Sequence, residues 1–253
     1  MISKNRLKHI QSLHLKKFRL EHQCFIAEGV KVVNEFIGSA AYKPLEVFAT
    51  VPYLNAHHKQ LEENNIPFTE VSEDELKKIS LQSTPNQVLA ICPMVHQKLD
   101  AVKLHTHLNL FLDDIKDPGN LGTIIRIADW FGIPQVICSP TCAELYNIKT
   151  IQATMGAMLR VPVIYENFGA VLKTAPDVTI YGAVMEGINV YKTRIENGIL
   201  VIGNEANGIS DDVLSHVNRR ITIPPAGNNG SESLNAAVAT AILCNEHARL
   251  HVV

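Results

Sequence analysis

Residues 109–126 read Asn109-Leu110-Phe111-Leu112-Asp113-Asp114-Ile115-Lys116-Asp117-Pro118-Gly119-Asn120-Leu121-Gly122-Thr123-Ile124-Ile125-Arg126. The apolar run Asn109–Leu112 predicts a buried strand, and the helical pattern begins after a turn rich in Asp, Pro, Gly and Asn. Asp117 with Pro118, or Asn120, would start that helix. A short polar oxygen caps the free N–H groups, and proline fits the first turn. Leu121, Ile124, Ile125, Ala128 and Phe131 recur at helical spacing and predict a buried stripe. Arg126 lies off the stripe, one turn in from the helix start. A cation there opposes the positive end of the helix and gains nothing from its dipole. Two readings stay open: an arginine held for a ligand, or a surface arginine paired with Asp129.

The same strand–turn–helix unit recurs outward from this stretch. Apolar runs at Gln135–Cys138, Val161–Ile164, Val178–Val184, Ile199–Ile202 and Arg220–Ile223 predict further strands, and Ser233–Leu250 a long closing helix. Near-continuous apolar strands separated by helices imply a parallel sheet covered on both faces. Residues 1–95 form a second, smaller α/β pattern. Helices are predicted at Ser3–Lys17, Val30–Ile37, Ala56–Asn64 and Glu73–Ile79, with strands at Cys24–Ala27, Glu46–Thr50, Phe68–Val71 and Gln87–Cys92. Residues 96–108 are polar and aperiodic, which suits a linker. The linker pair His105 and His107 lacks a third ligand and reads as a solvated turn rather than a metal site.

The 253 residues hold one large domain or two small ones, and 46% apolar with 19% charged residues is enough for a core. The five cysteines include no C-x-x-C pair, so neither a disulfide framework nor a zinc ribbon is indicated; reduced thiols fit a cytoplasmic protein. Met1–Gln11 lacks a signal-peptide core, and no run approaches the roughly 20 apolar residues that span a bilayer. Net charge is −2, yet residues 1–22 set Lys4, Arg6, Lys8, Lys16, Lys17 and Arg19 against Glu21 alone. Such a patch holds phosphates or is a solvated helix face.

Ligands of open α/β sheets bind beyond the carboxyl ends of the strands. Two more ends carry unusual sequence. Gly203-Asn204-Glu205-Ala206-Asn207-Gly208-Ile209-Ser210 suits a loop whose backbone approaches a ligand, with Ser210 capping the next helix; Glu205 is superfluous for a plain connection. Ile223-Pro224-Pro225 leads through a Gly/Asn loop to Ser233-Leu234-Asn235, where Asn235 falls in the first turn of an alanine-rich helix. Neither G-x-G-x-x-G, P-loop nor G-x-S-x-G is present.

In this order, the three segments resemble the signature motifs of the SpoU (TrmH) family of RNA ribose methyltransferases in the SPOUT superfamily. The first resembles N-x-G-x-x-x-R (Asn120, Gly122, Arg126), the second G-x-E-x-x-G (Gly203, Glu205, Gly208), and the third I-P…S-L-N (Ile223, Pro224, Ser233, Leu234, Asn235). A fourth, weaker match is Thr154-Met155-Gly156-Ala157 with Arg160-Val161-Pro162. The resemblance implies an α/β fold: a C-terminal SPOUT-type parallel-sheet domain with a trefoil knot, residues 109–253. A small ribosomal-protein-L30e-like domain, residues 1–95, would precede it and bind the RNA substrate, tRNA or rRNA.

The resemblance further implies methyl transfer from S-adenosyl-L-methionine to a ribose 2′-hydroxyl, with no metal and in a homodimer. Arg126 would act on the hydroxyl, with Asn120, Glu205, Ser233 and Asn235 as its partners in the site. Gly203, Asn204, Gly208, Ile223, Pro224 and Leu234 would hold the cofactor. Lys4, Arg6, Lys8, Lys16, Lys17 and Arg19 would contact RNA. Two rival classes are a silent RNA-binding protein on the same fold and a nucleotide-dependent small-molecule enzyme. The first is expected to lose Arg126, Glu205 or Asn235, and the second needs a phosphate loop that is missing here.

Overall fold

The structure, a computed structural model, describes residues 2–227 and 233–249. The chain forms two compact units, Met1–His96 with Tyr146–Leu159, and Gln97–Leu145 with Arg160–Val253.

The first unit runs α1 (Lys4–Ser12), α2 (Lys16–His22), β1 (Cys24–Glu28), α3 (Val30–Ile37), β2 (Glu46–Ala49), α4 (Val51–Glu63), β3 (Phe68–Glu70), α5 (Glu73–Ile79) and β4 (Val88–Pro93). The sheet order is β1-β4-β2-β3, with only the β2–β3 pair parallel. Ile10, Leu13, Ile26, Phe48, Leu76, Leu89 and their neighbours fill the core beneath it.

The helix expected over Ser3–Lys17 is two helices. Ser3 caps the first as expected, its Oγ accepting from Arg6 N–H at 3.3 Å. The break at Leu13–Leu15 is closed by Arg19, which is only 6% exposed and donates to Leu13 O and His14 O, both at 2.9 Å. A guanidinium at a helix C-terminus satisfies carbonyls that have no partner within the helix. Arg19 is therefore a structural residue, and the expectation that it contacts RNA is corrected.

The second unit continues with α6 (Ala101–Thr106), β5 (Leu108–Leu112), α7 (Pro118–Trp130) and β6 (Val136–Cys138). After α8 (Ile148–Thr154) come β7 (Val163–Tyr165), α9 (Phe168–Thr174), β8 (Ile180–Asn189), β9 (Gly198–Ile202), α10 (Asp211–Leu214), β10 (Arg219–Thr222) and α11 (Ala236–Ala248). Six strands lie in the order β10-β8-β9-β5-β6-β7, and every neighbouring pair is parallel. Val136, Ile137, Leu110, Phe111, Ile199, Leu200 and Val201 are buried on both faces of the sheet, as its near-continuous apolar strands predict.

Further segments differ from the sequence expectations: α4 starts at Val51 rather than Ala56, and β8 runs from Ile180 to Asn189 rather than over Val178–Val184. The stretch 96–108 contains α6, because Asp100 caps it through Val102 N–H (3.1 Å) and Leu104 supplies a fully buried contact. A helix of six residues is too short for periodicity to announce it. The segment Tyr146–Leu159 lies in the first unit. There the Tyr146 ring packs tilted against Phe25, with centroids 4.7 Å apart, its hydroxyl donates to Val95 O at 2.6 Å, and Ile148 joins the core. The closing helix α11 is shorter than Ser233–Leu250, and Leu250 lies outside the described residues.

Candidate active site

The carboxyl ends of β5 and β9 and the start of α11 bring the three singled-out segments together. Asp117 caps α7, its Oδ1 accepting Asn120 N–H at 2.7 Å. That fixes Asn120 on the first turn. Its Nδ2 donates to Glu205 Oε1 at 2.6 Å, and its Oδ1 accepts from Asn235 Nδ2 at 2.9 Å. Asn235 is not in the first turn of α11 but is its N-cap; its Oδ1 accepts Ala237 N–H at 3.0 Å and Val238 N–H at 3.3 Å.

This chain of bonds has only one self-consistent orientation. The cap requires the Asn235 oxygen, so its NH2 faces Asn120; Asn120 must then accept, so its own NH2 faces the carboxylate. Each link polarises the next, and Glu205 receives the last donor. One asparagine from each of two segments thus ties the third in place.

The loop after β9 is shaped by its glycines. Asn204 and Gly208 exchange two backbone hydrogen bonds of 2.9 Å, and Gly208 sits at φ +69°, where a side chain is strained. A Cβ on Gly203 would lie 2.3 Å from Gly208 C. The two glycines therefore let the loop close on itself. Asn204 pins the loop, donating to Asp114 O at 2.8 Å while its Oδ1 accepts from Ala206 and Asn207 N–H.

Two aspartates that sequence spacing does not single out hold these loops. Asp113 is buried, and its Oδ2 accepts both the N–H and the Oγ–H of Ser210 at 2.7 Å. Ser210 is the N-cap of α10 by position, yet its side chain makes no cap bond, contrary to expectation. Asp114 adopts the left-handed region at φ +60° and pairs with Lys116, whose hydrogen bond holds the Asp114 carboxyl below its ordinary range. In the adjoining turn, the hydrogen bond from Cys138 outweighs burial and lowers the Cys142 thiol to about 7.

Arg126 is exposed on α7 and has no side-chain partner among the described residues. The open alternative, pairing with Asp129, is not realised. Arg160 takes Asp129 instead, with Nε at 3.1 and 3.0 Å from its two oxygens and Nη2 at 2.8 Å from Oδ2. Sequence reading missed this because the partner lies 31 residues away. Ser233 and Leu234 are exposed, and Ile223 and Pro224 half-buried; residues 228–232 of the loop between them lie outside the described residues.

The SpoU rRNA Methylase family profile matches residues 107–245, more than half of the chain and all three segments. The chain belongs to the SpoU rRNA methylase family. An MRM3-like substrate binding domain profile matches residues 4–90. A curated relative, the 23S rRNA (guanosine(2553)-2′-O)-methyltransferase RlmP of Bacillus subtilis, is 31% identical over 94% of both chains. Among solved structures, a TrmH-family protein from Porphyromonas gingivalis is 35% identical with a TM-score of 0.85, covering 99% of each chain. An AdoMet-bound rRNA methyltransferase from Sinorhizobium meliloti is 26% identical with a TM-score of 0.86, covering 100% of this chain and 98% of that one.

The residues present fit S-adenosylmethionine as the family cofactor. The N–H groups of Gly203, Ile223 and Leu234 meet no acceptor among the described residues, and the apolar side chain of Leu234 is exposed. Such a set suits a ligand with one heterocycle and one amino-acid end.

The double duty of Asn235 separates chemistry from folding. Asn235→Ala loses the cap and should cost about 1 kcal/mol of stability. Asn235→Ser keeps a capping oxygen but loses the arm to Asn120. Its Tm should stay within a degree or two of the parent while methyl transfer falls at least tenfold. A serine variant with parental activity would show that the Asn235–Asn120 bond is dispensable.

Proposed function

We propose that this S-adenosylmethionine-dependent RNA methyltransferase modifies a ribose 2′-hydroxyl of large-subunit ribosomal RNA. The observation that carries the reading is the union of the three motif segments through Asn120, Glu205 and Asn235, on a helix that also carries a guanidinium, Arg126, with no side-chain partner among the described residues. A silent binding protein has no use for that union. The RNA class is supported by the 23S rRNA named for the RlmP relative.

Gly203, Asn204 and Gly208 with Ile223, Pro224 and Leu234 hold the cofactor, which supplies an activated methyl group on a sulfonium. The chain's own task is alignment and charge. Arg126 is not the proton acceptor, because a guanidinium keeps its proton. It clamps the neighbouring phosphate and stabilises the alkoxide that develops as the hydroxyl proton passes to solvent. Asn120, Asn235 and Glu205 hold the motif loops together, and the Ser233 hydroxyl would bind the ribose.

The active form is a homodimer in the cytoplasm, joined through the catalytic unit and threaded by the family's trefoil knot. Exposed Leu234 and Val238 at the start of α11, with Met185, Ile188 and Tyr191 around the end of β8, offer an apolar face for the second copy. All five cysteines are buried and free, which suits a reducing compartment. No helix among the described residues is long and apolar enough to cross a membrane.

RNA reaches the site through the first unit. Lys4, Lys8, Lys16 and Lys17 are exposed on α1 and α2, whereas Arg6 is paired with Glu46 and rests 5.8 Å over Phe48. Four lysines on phosphates release counterions. Replacing all four with glutamine should weaken RNA binding several-fold and flatten its log–log salt slope by up to about 3–4. S-adenosylmethionine affinity should not change. Parental RNA binding across a salt titration would remove the patch from the interface. The substrate class is tested by offering labelled cofactor with unmodified 23S rRNA, 16S rRNA and tRNA transcripts. Label in 23S rRNA is expected; label confined to tRNA would contradict the proposed class.

A further inference from the structure

Trp130 is 83% exposed, the most exposed large apolar side chain among the described residues, and it is the only tryptophan in the chain. It ends α7, and Thr123, Arg126 and Trp130 are the exposed positions of the Leu121–Trp130 stretch. Their spacing of three and four residues places them on one stripe of the helix. Trp130 lies one turn past Arg126, about 6 Å along the axis. We propose that Trp130 is a stacking platform for an RNA base adjacent to the nucleotide held at Arg126.

The chemistry of the stripe chooses the occupant. It presents one cation and one large ring, and its nearest carboxylate, Asp129, is already bound by Arg160 through both oxygens. A protein partner would have to bring a carboxylate for Arg126 together with an apolar pocket for the indole. A nucleotide step carries an anion and a flat π-face in each repeat. Unstacked bases of RNA loops are held in this way, on aromatic rings beside arginines. The polar edge of the indole can stay wet while its face is covered, so the site costs little when no RNA is bound.

This inference rests on the proposed methyl transfer to RNA, and its test separates the two. Trp130→Ala should raise KM for an unmodified 23S rRNA transcript about tenfold, with kcat within about twofold of the parent and S-adenosylmethionine affinity unchanged. Trp130→Phe keeps a π-face and should recover most of the loss, which a merely structural role would not require. In the parent, the fluorescence of this single tryptophan should be quenched by the transcript. Sedimentation velocity should give one mass for parent and variants. Unchanged KM, an unquenched Trp130 in a parent that transfers methyl, or a Trp130→Ala variant of altered mass would each overturn the stacking role. A parent quenched by RNA that transfers no methyl would instead overturn the proposed function and leave the stacking standing.

Discussion

Replacing Arg126 with alanine is expected to lower kcat for methyl transfer by about 10²–10³-fold. The side chain is exposed and without a partner among the described residues, so its removal leaves no buried group unpaired. Folding should therefore not register the change. Melting temperature and S-adenosylmethionine affinity are expected to match the parent. The loss falls on the step that needs positive charge beside the developing oxyanion. Arg126→Lys keeps the charge but not the planar fork that grips phosphate and oxygen together, so it should recover little. Single-turnover methylation of an rRNA transcript, with a thermal melt on the same samples, reads both quantities. An Arg126→Ala enzyme with more than a tenth of parental kcat would remove the arginine from the chemistry.

Gly203→Ala should be the most damaging single methyl group that can be added to the site. Gly→Ala ordinarily stabilises a compatible position by restricting the unfolded chain. Here the sign reverses, because the new Cβ would fall 2.3 Å from Gly208 C and Ile209 N. Those are backbone atoms and have no rotamer to swing away. The 203–208 loop must open, losing the paired Asn204–Gly208 bonds and carrying Glu205 off Asn120. A more than tenfold rise in the Kd for S-adenosylmethionine is expected by calorimetry, together with a lower Tm. Gly208→Ala meets no atom within 4 Å and strains only its φ, so it should do much less harm. Equal cofactor affinity in the Gly203 variant and the parent would show that the loop does not shape the cofactor site.

The inner strands β5, β6 and β9 were legible because they are almost wholly apolar and buried on both faces, whereas the edge strand β10 carries exposed Arg219 and Arg220. The expected spans Val30–Ile37 and Glu73–Ile79 are α3 and α5 as observed, but the Ser72–Glu75 capping box that starts α5 was not read from the sequence. What the sequence hid depends on distance along the chain. Arg19 reads as one more basic residue until its carbonyl partners in the α1–α2 break are seen. Spacing offered Asp129 only Arg126 as a partner, and only the fold brings Arg160 to it. Tyr146–Leu159 gives no sign in its own composition that it packs against β1 rather than the catalytic sheet. At the site, family motifs located Asn120, Glu205 and Asn235, but no spacing rule says that two hydrogen bonds join them. Asp113 and Asp114 were missed because aspartates at strand ends look like turn residues, whether buried like Asp113 or partly exposed like Asp114.

The chemical identity of the product tests ribose methylation most directly. Parent enzyme, methyl-labelled S-adenosylmethionine and an unmodified 23S rRNA transcript are incubated together, and the RNA is digested to nucleosides and resolved by mass spectrometry. The account predicts label in a single 2′-O-methylated nucleoside, at one position resistant to alkaline cleavage, and its loss with Arg126→Ala. Label on a nucleobase, or none in RNA while the cofactor binds normally, would contradict it.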